Sequence, residues 1–86
     1  MYAIELRDTV KKKFKILEKK DKKTLRRVTE KVREIIQDPH REKPLRRPMQ
    51  NMRRVHIRPF VLVYSIDELG KTVILEEFDH HDKIYK

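Results

Sequence analysis

Arg53-Arg54-Val55-His56-Ile57-Arg58-Pro59-Phe60-Val61-Leu62-Val63-Tyr64 decides the fold of this chain. Cationic and apolar residues alternate as far as Pro59, and an apolar run follows. A period of two is that of a half-buried strand, whose successive side chains point to opposite faces. Val55 and Ile57 then belong to a core, and Arg54, His56 and Arg58 to the opposite surface. Proline lacks the amide hydrogen that a strand ladder needs, so Pro59 belongs in a bend, and residues 60–66 form the next strand. Two guanidiniums and an imidazole on one sheet face make a poor core and a good phosphate site.

Downstream, Asp67-Glu68-Leu69-Gly70 reads as a short hairpin loop, with the only glycine placed where a positive φ is needed. Residues 71–78 form a third strand, with Val73 and Leu75 facing opposite to Ile74 and Glu76. Upstream, residues 38–52 form a loop punctuated by Pro39, Pro44 and Pro48 and carrying His40, Arg41, Lys43, Arg46 and Arg47. Before the loop, apolar residues recur at helical spacing. Val10, Phe14 and Leu17 mark a first helix, with Asp8 as its N-cap. Leu25, Val28, Val32, Ile35 and Ile36 mark a second, capped by Asp21 and ended by Asp38-Pro39. Residues 2–6 alternate weakly and read as an edge strand. The order predicts one α+β domain over residues 1–86: an N-terminal strand, a helical hairpin, then an antiparallel three-stranded meander, all in one sheet. The helices cover one face of that sheet and leave the basic face open.

The composition narrows the function. The formal net charge is +9, which invites a polyanionic partner. No apolar run is long enough for a membrane helix. The opening Met1-Tyr2-Ala3-Ile4-Glu5-Leu6 lacks the basic lead and apolar core of a signal peptide. Without cysteine there are no disulfides, thiol catalysis or thiolate metal sites, which fits a cytoplasmic protein. Asp79-His80-His81-Asp82 has the composition of metal ligands. Adjacent strand residues point apart, however, and no zinc spacing is met, so no metal or other cofactor is expected. Taken alone, a histidine on a basic strand is more often a solvated surface residue than a catalyst.

Lys43-Pro44-Leu45, Arg53-Arg54-Val55-His56-Ile57, Leu62-Val63-Tyr64-Ser65-Ile66-Asp67 and His81-Asp82-Lys83-Ile84-Tyr85 together resemble the RelE/ParE superfamily of toxins, over the whole chain. These are the toxin halves of type II toxin–antitoxin modules. In the RelE and YafQ branches the resemblance implies a metal-independent endoribonuclease that cuts mRNA in the ribosomal A site. It also implies an acidic RelB-type antitoxin, with a helix across the helical hairpin and an extended segment over the basic sheet face. His56 and His81 match two site histidines of the YafQ branch, and Tyr85 matches the aromatic residue beyond the second. Lys43 stands where that branch has another histidine. Phe60-Val61 stands where the RelE branch has a catalytic arginine. The expected catalytic residues are therefore His56, His81, Arg54 and Tyr85. Lys43, Arg46, Arg47, Arg53 and Arg58 are expected to hold RNA. The ParE branch, which inhibits DNA gyrase without cutting nucleic acid, is the alternative, followed by an inactive RNA- or protein-binding homologue.

Overall fold

The structure is a computed structural model in which residues 1–84 are described. Seven elements follow one another: β1 (Ala3–Leu6), α1 (Asp8–Lys20), α2 (Lys22–Gln37), β2 (Met52–Ile57), β3 (Phe60–Asp67), β4 (Thr72–His80) and a short α3 (His81–Ile84). The strands form one sheet in the order β1-β4-β3-β2. β2, β3 and β4 are the antiparallel meander, and β1 adds to its far edge in parallel with β4. The expected α+β architecture is therefore present.

The core lies between the helical hairpin and one sheet face. Val10 and Leu17 of α1 and Val28 and Ile35 of α2 are buried two turns apart, one stripe on each helix. They meet Val55 and Ile57 of β2, Leu62 and Tyr64 of β3, and Val73, Leu75 and Phe78 of β4. Phe78 sits between two rings, edge-on to Phe14 at 5.3 Å and stacked on Phe60 at 4.9 Å. Burying such a ring contributes about 1.5–3 kcal/mol.

Several local expectations change. Asp8 is the first residue of α1, not its cap; the N-cap is Arg7, which makes no side-chain capping bond. Asp8 instead places a carboxylate in the first turn, where the helix dipole favours it. Asp21 does cap α2, accepting from the Thr24 amide at 3.1 Å and from its hydroxyl at 2.6 Å. The positive φ of the hairpin falls on Lys71, at 49°, and not on Gly70. A Cβ at Gly70 would stand 2.6 Å from Asp67 Oδ2, the tip of an exposed side chain that would have to swing aside. That carboxylate folds over the turn and accepts the Gly70 amide at 3.0 Å. β4 also runs past residue 78 to His80, with a bulge opposite Val63 and Tyr64 that leaves Glu76 unpaired in the register.

Loop 38–51 is fastened to the sheet. The Tyr64 hydroxyl donates to the Pro39 carbonyl at 2.8 Å. Arg53 Nη1 donates to the Glu42 carbonyl at 2.6 Å and to that of His40 at 3.4 Å. The Leu45 amide donates to the Met52 carbonyl at 2.8 Å.

Candidate nucleic-acid interface

β2 behaves as its alternation predicts. Val55 and Ile57 are buried, while Arg54 and His56 are exposed on the face away from the helices. Arg54 pairs in register with Val63, and His56 with Val61. Both valines are buried, so the open face has an apolar floor under its cations. At the end of β4 the chain turns back. The His81 amide donates to the Pro59 carbonyl at 2.9 Å, pinning the start of α3 to the bend between β2 and β3. The His81 ring consequently lies beside that of His56, with centroids 6.2 Å apart and planes inclined by 36°.

Two clefts meet at His56. One, of about 840 Å³, runs between loop 38–51 and the open face; Lys43, Arg46, Arg47, Arg54 and His56 line it, joined by Arg41, Glu77 and Ile84. The other, of about 350 Å³, is lined by His56, Arg58, Phe60, His80, His81 and Asp82. Most of the residues expected from the sequence are thus brought together around one imidazole. Arg53 is not among them. It is in register with Tyr64, and its guanidinium is engaged with loop carbonyls, so it shapes the larger cleft from behind. Tyr85 lies outside the described residues.

Glu77 is a cleft residue that the strand alternation did not single out. Its signal was in the spacing: the buried residues of β4 are Val73, Leu75 and Phe78, so the last step is three residues instead of two. The bulge absorbs the extra residue. Glu76 reaches Ser65 Oγ at 2.6 Å and Arg7 Nε at 2.9 Å, and Glu77 is left beside Val63 in the cleft. Burial works to raise the Glu76 carboxyl, but the hydrogen bonds from Arg7 and Ser65 outweigh it and hold the group below the usual glutamate range. Asp79 is likewise held low, chiefly by its bond to Lys13 at 2.9 Å. Asp82 stands 3.7 Å from Nδ1 of both His80 and His81. Among the described residues, no three His, Asp or Glu side chains converge in a way that would hold a metal ion.

A meander with a leading strand and a helical hairpin on one face is a fold already seen in toxins of known structure. The Escherichia coli RelE toxin superposes with a TM-score of 0.79 at 18% identity, covering 93% of this chain and 84% of that one. The family model described as "ParE toxin of type II toxin-antitoxin system, parDE" matches residues 4–85, and the chain belongs to that family of type II toxins. A Methanocaldococcus jannaschii protein named "Putative toxin RelE4" is 49% identical over 87 residues, covering 100% of this chain and 93% of the relative. The RelBE2 toxin–antitoxin complex of Mycobacterium tuberculosis contains a chain with a TM-score of 0.76 at 26% identity, covering 93% of this chain and 98% of that one. Among the described residues no helix is long and apolar enough to cross a membrane.

Proposed function

We propose that this toxin is a ribosome-dependent, metal-independent endoribonuclease that cuts mRNA in the A site, and that an acidic RelB-type antitoxin neutralises it in the cytoplasm. One observation carries the reading: His56 and His81 stand side by side, 6.2 Å between ring centroids, where two clefts meet. Cleaving RNA without a metal requires a base, an acid and cations for the phosphorane. His56 removes the proton from a 2′-hydroxyl. The freed oxygen attacks the adjacent phosphorus, and Arg54 stabilises the charge that develops there. The bond to the 5′-oxygen breaks, and His81 protonates that oxygen as it leaves. The products are a 2′,3′-cyclic phosphate and a 5′-hydroxyl end. Lys43, Arg46 and Arg47 hold the backbone along the larger cleft, and Arg58 holds it in the smaller one. Tyr85, four residues after His81, is assigned to stacking on a base. The antitoxin partner is supported by the Mycobacterium tuberculosis relative, which was solved as a toxin–antitoxin complex.

Primer extension on a defined mRNA in a translating extract tests the reading. Wild type is expected to cut at A-site codons, and His56→Ala and His81→Ala are each expected to cut at least a hundredfold less, while still binding the antitoxin. Undiminished cutting by both variants would exclude the pair as catalyst.

A second reading has one observation in its favour: the matching family model is that of the ParE toxins. In that case the basic face docks on DNA gyrase and the histidines do no chemistry. No cutting of mRNA, together with gyrase-dependent DNA breaks, identifies it.

A further inference from the structure

Most of the net charge of this protein lies away from its clefts. Segment 11–27, the last ten residues of α1 and the first six of α2 with Asp21 between them, holds ten Lys and Arg against Glu18 and Asp21. It therefore carries a net +8 of the chain's +9. The remaining residues hold thirteen cations against twelve acids and are close to neutral. Nine of the ten cations are exposed; the tenth, Lys13, is partly buried and paired with Asp79. Among the described residues, none of the nine has an ion-pair partner within 4 Å. Holding so many like charges together costs stability through self-repulsion.

We infer that the tip of the helical hairpin is a second nucleic-acid surface, which grips the phosphate backbone of folded RNA independently of the cleavage site. Three features favour RNA over an acidic protein helix. Eight of the ten cations are lysines, flexible point charges that suit phosphates and read no base edges. A docking helix needs a row of apolar anchors, and Ile16, 55% exposed, is the only exposed large hydrophobic residue within the segment. Lys11 to Lys20 spans about 14 Å of helix at 1.5 Å per residue, enough to follow several successive phosphates. The hairpin packs on the sheet face opposite Arg54 and His56. An RNA that contacts both surfaces must therefore surround the protein, as the walls of a crevice in a large ribonucleoprotein do. A single strand lying in the cleft cannot.

The inference goes beyond the ribonuclease reading, because binding at the hairpin does not need cleavage. The test is fluorescence anisotropy with a 20-base-pair RNA duplex, titrated in salt, using the full chain carrying His81→Ala so that cleavage does not interfere. Adding K19Q/K20Q/K22Q/K23Q is expected to weaken binding at least tenfold and to flatten the log–log salt slope by about 3, since each phosphate contact contributes about 0.7–0.9. R26Q/R27Q, added instead, is a second variant on the same surface and is expected to flatten the slope by about half as much. Circular dichroism confirms that each variant is folded. Unchanged affinity and slope in both variants would overturn the inference. So would losses confined to an acidic protein partner with RNA binding intact. Failure of the histidine variants to affect mRNA cutting would leave the hairpin surface standing.

Discussion

At the scale of single residues, the candidate site depends on groups that lie outside its clefts. Tyr64 is fully buried, and its hydroxyl holds the Pro39 carbonyl at the root of the cationic loop. Burial, reinforced by the nearby Glu42 carboxylate, pushes its phenol up to about 12. The neutral phenol is therefore favoured by folding. Its contribution is complete below the ordinary tyrosine value of about 10 and is lost as pH rises towards 12. In a Tyr2→Phe, Tyr85→Phe protein, which keeps Tyr64 as the only tyrosine, ultraviolet titration is expected to show a midpoint near 12, or unfolding first. A reversible midpoint near 10 in the folded protein would contradict the burial argument. Tyr64→Phe leaves the Pro39 carbonyl without its donor and is expected to cost about 1–2 kcal/mol in denaturant unfolding. Arg53 acts in the same way from the adjacent strand, through the Glu42 and His40 carbonyls. Its charge drew it into the group of RNA contacts, yet strand parity already placed it with Val55 and Ile57 and away from Arg54 and His56.

At the scale of elements, periodicity carried most of the information. The helices followed from Val10-Phe14-Leu17 and Leu25-Val28-Val32-Ile35, and the meander from the alternation around His56 and the turn at Pro59. What periodicity does not encode is which strand lies beside which. Nothing local in residues 2–6 says that they pair in parallel with β4 at the edge remote from β2. Backbone bonds along the ladder hold that pairing, and Arg7 adds a long-range contact to Glu76 across the bulge. The meeting of His56 and His81 is similarly non-local: it depends on β4 ending at His80 and on the bond from the His81 amide to Pro59. Ionised Glu76 stabilises the fold at and above the ordinary glutamate range, and this is lost as pH falls through its lowered folded value. Arg7→Ala removes the charged partner that keeps this value low, so acid unfolding monitored by circular dichroism is expected to begin at a higher pH than in wild type. Coincident acid transitions would show that the β1–β4 edge is held by its backbone bonds alone.

At the scale of the whole molecule, the protein is an 86-residue scaffold with two different cationic regions. One is small, ordered on an apolar floor and built around two imidazoles. The other is a dense lysine field on the opposite side. A chain this short buries a modest core, so a wrapping partner that covers charge and adds apolar contact stabilises it strongly by mass action. In the proposed reading the chemistry rests on the first region, with His56 as base and His81 as acid. Its most direct test is single-turnover cleavage, on programmed ribosomes, of an mRNA whose scissile 5′-oxygen is replaced by sulfur. A thiolate leaves without protonation, so His81→Ala is expected to cut this message at close to the wild-type rate, while His56→Ala remains inactive. No rescue of His81→Ala, or rescue of His56→Ala in its place, would contradict the assignment.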